Sequence, residues 1–185
     1  MIASKILSRE QLLEAAARAR AAGKTVVFAN GAFDLLHVGH VRYLAAARQE
    51  GGWLAVGVNA DASVRLAKGL ARPILPEAER AEIVAALEAV DAVVLFDEDS
   101  PAALIAALRP DVHAKGTDYT AATVPERAVV AGYGGRTVIV GDPKDHATTD
   151  VIERVRQTSE SDASRAERGI PDSTARKSST RRPSE

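Results

Sequence analysis

Residues 25–50 read TVVFANGAFDLLHVGHVRYLAAARQE, and this stretch constrains the chain more than any other. It opens with the apolar, β-branched run Thr25-Val26-Val27-Phe28. It turns at Asn30-Gly31 and resumes as a helix whose first turns carry His37-Val38-Gly39-His40. A strand, a glycine turn and a helix start form a ready phosphate site. The first helical N–H groups have no intrahelical partner, and the helix dipole favours negative charge there. Two histidines three apart share one helix face. Gly39 between them has no side chain, so a bulky anion can approach the backbone.

The rest of the sequence alternates strand and helix signals. Ser8 to Ala22 reads as a helix, with Ser8 and Gln11 as a capping box and Gly23 as its stop. Trp53–Val58 is a second buried strand. Asp61–Lys68 is a loop or helical turn closed by Gly69, and Pro76–Ala89 is an amphipathic helix with Ile83, Val84, Leu87 and Val90 inward. Ala92–Phe96, Val112–Lys115 and Arg136–Val140 are three further strands. Ser100-Pro101 caps a helix to Leu108, and Thr123 to Glu126 is a capping box for a helix to Tyr133. A last helix starts near Thr148-Thr149 and runs to about Gln157. This alternation implies right-handed βαβ units and a Rossmann-like, doubly wound, five-stranded parallel sheet with helices on both faces. Ligands then bind at the carboxyl ends of the strands.

Composition narrows the function classes. The net charge of −1 offers no electrostatic case for nucleic acid or a membrane surface, and no apolar run approaches the ~20 residues of a span. Cysteine is absent, which excludes disulfides, thiolate zinc sites and cysteine nucleophiles. The N-terminus has no signal-peptide core, so a cytoplasmic location is the expectation. GxxxxGK[ST], GxSxG and a GxGxxG after the first strand are all missing, which removes P-loop kinases, acyl transfer by a nucleophile elbow, and dinucleotide oxidoreductases. Residues 158–185 are rich in serine, arginine and proline and poor in apolar residues. They are expected to be a disordered tail behind a domain of residues 1–157.

NGAFDLLHVGH is similar to the HxGH signature of the nucleotidylyltransferase superfamily. VGVNADASVRLAKG, RPILPEAERAEIVAALEAVDAVVLFDEDSP, LRPDVHAKGTDY and HATTDVIERV follow in order. With them the chain resembles, from about Ile6 to Arg156, the adenylyltransferase of bacterial ADP-heptose synthesis, a unit found alone or behind a sugar kinase. The resemblance implies transfer of AMP from ATP, with Mg²⁺, to D-glycero-β-D-manno-heptose 1-phosphate. A homo-oligomer, a dimer or larger, is expected. The runner-up is a cytidylyltransferase for a polyol phosphate such as glycerol 3-phosphate; the alternative of another class is a non-catalytic nucleotide-binding partner of a sugar kinase.

Residue by residue, the resemblance makes His37, His40 and Lys68 catalytic. His37 and His40 would donate hydrogen bonds to nucleotide phosphates, with no cysteine, third histidine or acid nearby to complete a zinc set. Lys68, otherwise a solvated lysine, would meet the acceptor's phosphate, with Arg65 and Arg72 as weaker candidates. The nucleotide side would include Asn30, Gly31, Ala32, Phe33, Gly39, Lys115, Gly116, Asp118, Tyr119, Thr148 and Thr149. Asp118 and Tyr119 also read as turn and packing residues, and Thr148 as a helix cap. The acceptor side would include Asp34, Asn59, Asp61 and Arg80. Asp34 reads equally as a helix N-cap, and Arg80 as a helix ion-pair residue. Related proteins usually have serine where Ala147 stands, so one hydroxyl is missing at the last helix start.

Overall fold

The computed structural model describes residues 2–142 and 148–167. It divides into two compact units, Met1–Thr148 and Thr149–Glu185. In the first, five strands form one parallel sheet: β1 (Val26–Gly31), β2 (Trp53–Asn59), β3 (Ala92–Phe96), β4 (Val112–Lys115) and β5 (Arg136–Ile139). The spatial order is β3-β2-β1-β4-β5, so the winding reverses between β1 and β4. The register there sets Phe28 beside His113 and Ala29 beside Ala114.

The helices are α1 (Arg9–Ala21), α2 (Val38–Gln49), α3 (Asp61–Lys68), α4 (Glu77–Ala85), α5 (Ala102–Leu108), α6 (Arg127–Gly132) and α7 (Thr148–Glu167). A single 3-10 turn, Ala3–Lys5, precedes them. Strands covered on both faces read as nearly unbroken apolar runs, and β2 is buried from Trp53 to Val58. One core lies on the α2 and α4 face and is built on Val27, Ala29, Leu44, Val56 and Val84. The other lies under α1, α5 and α6 and is built on Leu12, Phe28, Phe96, Ile105 and Val130. Each fully buried valine or leucine contributes about 1.5–3 kcal/mol over exposure. Gly57 is required where β2 passes Phe28, since a Cβ there would sit 2.7 Å from the Phe28 ring.

The capping box at Ser8 and Gln11 forms as expected. Other details differ. The backbone does not turn at Asn30-Gly31; both residues stay in β1, paired with Gly57 and Val58. α3 is a full helix. α4 stops at Ala85 because Leu87 and Val90 tighten into 3-10-type bonds, and Ile83 is on its exposed side. Pro101, not Ser100, caps α5, although the Ser100 hydroxyl still accepts from the Ala102 N–H. The capping box before α6 does not form: Thr123 closes a turn with Thr120 instead, and Glu126 is itself the cap residue. α7 continues to Glu167, ten residues past the expected Gln157; from Thr149 it belongs to the second unit.

Candidate active site

The carboxyl ends of β1 and β4 flank the switch point, where an open parallel sheet binds its ligands. Immediately after β1 the chain makes a compact bend. Phe33 takes a left-handed φ of 48°, a conformation of about 1 kcal/mol or more in cost for a bulky residue. Its ring is buried and meets the His40 ring edge-on, with centroids 5.3 Å apart. Gly31 lies under this ring, so a Cβ there would be 3.2 Å from it. The strained bend therefore seats the aromatic wall against which His40 rests.

His37 is the N-cap of α2, and its ring stacks on that of His40 at 3.8 Å. The His40 N–H donates to the His37 carbonyl at 3.0 Å. The His37 N–H in turn approaches His40 Nδ1 at 3.4 Å. Nδ1 is thus the acceptor, which leaves the proton on Nε2. Burial, then the neighbouring His37 and Lys68, pull the His40 pKa down to about 4, against a small opposing pull from Asp118. At neutral pH His40 is an uncharged donor. The same electrostatics show that Lys68, at the exposed end of α3, and Asp118, after β4, both bear on this ring.

On the β4 side, Lys115 is buried, its ammonium lies 4.7 Å over the Tyr119 ring, and it reaches Asn30 Oδ1 at 3.4 Å. Burial lowers its pKa, with Glu126 pulling the other way. Gly116 accepts from the Tyr119 N–H at 3.1 Å, which closes the turn, and nothing lies within 4 Å of where a Gly116 side chain would be. The Thr148 hydroxyl lies 3.5 Å from the Leu35 carbonyl. Thr149 opens the second unit and is described only with it; His146 and Ala147 lie outside the described residues.

The four residues expected on the acceptor side form a different kind of assembly. Asp34 does not cap α2. Its buried carboxylate takes Arg72 at 2.6 Å and the N–H groups of Ile74 and Leu75 at 2.6 and 3.2 Å. Burial raises its pKa, but these donors outweigh that and hold it below the usual range. Arg80 is 0 % exposed and is no surface ion-pair residue. It donates to the carbonyls of Leu75, Ala32 and Asn59 and to Asp61 Oδ1. The Asn59 amide bonds Ser63, and Asp61 Oδ2 lies 3.6 Å from Arg65. Each of these side chains is engaged by the protein. Among the described residues no group of three or more histidine or acidic side chains could hold a metal ion.

Sequence reasoning missed three polar residues, two of them buried and Tyr43 half-buried. His113 contacts Asn30, the Tyr43 hydroxyl ties α2 to the Ala114 carbonyl at 2.8 Å, and Glu126 is buried at the start of α6. The available signal was a histidine and a lysine inside the otherwise apolar strand VHAK.

Residues 28–167 match the family described as cytidylyltransferase-like. The chain is similar to the bifunctional protein HldE of Syntrophotalea carbinolica, with 52% identity over 152 residues, 82% of this chain and 31% of that protein. It is 49% identical to HldE of Geobacter sulfurreducens over the same share of each. The chain thus spans about a third of the length of the curated relatives it matches. Among solved structures, the lipopolysaccharide core biosynthesis protein of Thermoplasma volcanium is 27% identical, with a TM-score of 0.58, over 66% of this chain and all of that one. The parallel sheet, the switch-point histidines and these matches agree: the chain belongs to the cytidylyltransferase-like family.

Proposed function

We propose that this domain transfers AMP from ATP to D-glycero-β-D-manno-heptose 1-phosphate, releasing pyrophosphate and leaving ADP-heptose. The observation that carries the reading is the stacked His37–His40 pair, with His40 neutral and its proton on Nε2 at the start of α2. A phosphate oxygen of the acceptor attacks the α-phosphorus in line, the bond to the bridging oxygen breaks, and pyrophosphate leaves with the electron pair. The attacking oxygen is already ionised near neutral pH, so no strong base is needed. Catalysis is then positioning plus stabilisation of developing charge. His37 and His40 act on the α-phosphate and the leaving group, and Lys68 holds the acceptor's phosphate. Asn30, Lys115, Gly116, Asp118, Tyr119 and Thr148 serve the nucleotide.

Asp34, Asn59, Asp61 and Arg80 serve the acceptor by shaping the segment that meets it. Mg²⁺ is carried in on the triphosphate, where it offsets phosphate charge. The active form is a cytoplasmic homo-oligomer, a dimer or larger, and residues 158–185 are dispensable for turnover. The resemblance to the adenylyltransferase of ADP-heptose synthesis, running through KGTDY and VNADASVRLAKG, favours ATP and a heptose phosphate over CTP and a polyol phosphate.

Pyrophosphate release, assayed with ATP and CTP against a panel of sugar phosphates and glycerol 3-phosphate, tests the reading. The expected result is ATP with the heptose 1-phosphate. Equal kcat/KM with CTP, preference for glycerol 3-phosphate, or nucleotide binding without turnover on any acceptor would each overturn it.

A further inference from the structure

Asn30, the next-to-last residue of β1, presents its side-chain oxygen to two groups on β4. His113 Nε2 lies 3.1 Å from Oδ1 and Lys115 Nζ lies 3.4 Å from it. A lysine ammonium only donates, so the Asn30 atom facing it is the oxygen. The imidazole nitrogen facing that oxygen must then carry the proton. His113 is fully buried, its ring stacked on Phe28 at 6.1 Å, and its Nδ1 has no partner. Burial and the charge of Lys115 hold its pKa near 3, so it stays in this one neutral tautomer. Two donors fill both lone pairs of the Asn30 amide oxygen. The Asn30 NH₂ makes no hydrogen bond among the described residues.

We propose that His113 is a positioning residue for the nucleotide site, fixing the Asn30 amide so that its NH₂, not its oxygen, is left to meet a phosphate. The inference rests on the transferase reading above and deepens it. An asparagine side chain can flip about its last torsion at little cost, exchanging a donor for an acceptor at the same place. Facing an anion, the donor attracts and the acceptor repels. Holding the oxygen inward from β4 removes the wrong orientation. Lys115, at 3.4 Å, is the longer of the two restraints.

The test is a set of variants on the full chain. His113→Phe keeps a planar ring against Phe28 and removes the donor; His113→Gln keeps a donor at a similar reach. His113→Phe is expected to weaken ATP binding and raise KM for ATP about tenfold, the size of one lost bond to a charged group. KM for the acceptor and kcat should change far less. His113→Gln should recover most of the loss. In an Asn30→Ala background His113→Phe should add nothing, since it acts through that amide. In a ¹⁵N spectrum the Asn30 side-chain NH₂ pair should move in His113→Phe and return in His113→Gln.

An unchanged ATP Kd in a folded His113→Phe overturns the proposal. So does a loss that persists on top of Asn30→Ala, or a His113→Gln protein as impaired as His113→Phe. The ATP Kd is measured by calorimetry without acceptor. A wild type that binds ATP yet releases no pyrophosphate with any acceptor therefore sinks the transferase reading separately.

Discussion

Two regions beyond the carboxyl ends of the strands handle polar groups in opposite ways. Around His40, donors are desolvated but held in reserve: the ring is neutral, braced by Phe33 and His37, with its Nε2 proton uncommitted among the hydrogen bonds described. Around Arg80 and Asp34, buried charges are already satisfied by carbonyls, N–H groups and each other. Donors kept in reserve can respond to charge that appears in a transition state. Groups spent on the backbone hold loops in place and respond to nothing. The first region should therefore fail in rate when altered, the second in stability.

The largest effect should come from the second region. Arg80→Ala strands three carbonyls and the Asp61 carboxylate without their donor. Removing one partner of such a buried network costs about 3–5 kcal/mol, or roughly 6–20 °C in a domain of this size. Calorimetry should show that loss, and Arg80→Lys should not repair it, because an ammonium cannot span four acceptors. A Tm near that of the wild type would break the comparison.

Next, His40→Ala should lower kcat by about 10²–10³, the usual effect of losing one preorganised donor. Its Tm should stay within a few degrees. A His40→Ala protein that unfolds would place the histidine with the structural group instead.

Lys68 sharpens the contrast within the reactive region. It is exposed and contacts, by proposal, a phosphate charged both before and during reaction. Such binding is mostly uniform, so Lys68→Ala should raise KM for the sugar phosphate about tenfold with a smaller change in kcat. Lys68→Arg should rescue only in part. A change confined to KM for ATP would move the lysine to the nucleotide side.

The last prediction concerns pH. His40 and His113 have folded pKa values of about 4 and 3, below the ~6.5 of an unfolded histidine. Below pH 6.5 the unfolded chain takes up protons that the folded chain refuses, so stability falls as pH drops. The His40 contribution levels off near pH 4 and that of His113 near pH 3. The lowered carboxylates Asp34 and Glu98 lose their contribution only below the ordinary carboxylate range, so the window from 6.5 to 4.5 belongs to the histidines. Urea midpoints should fall from pH 7 to pH 5, and His113→Phe should flatten that slope. An unchanged slope would mean that His113 titrates normally.

The sequence alone determined the order of elements and the place of the paired histidines. Strands in this chain are apolar runs long enough to be buried on both faces, and the glycine and histidine spacing is local, so both can be read along one segment. It also paired His37 with His40, because i and i+3 on one helix are neighbours in any fold. Only the tertiary structure decided which polar residues are spent and which are kept. Asp34 reads as a cap or a ligand until the chain of residues 72–75 folds back over it. Arg80 reads as a helix ion-pair residue or an acceptor contact until four acceptors from separate segments close around it. His113 stands out as a polar residue in VHAK, but its role is not legible there because its partner, Asn30, is 83 residues away. Hydrogen bonds between distant segments depend on sheet order and register, and a local pattern carries neither.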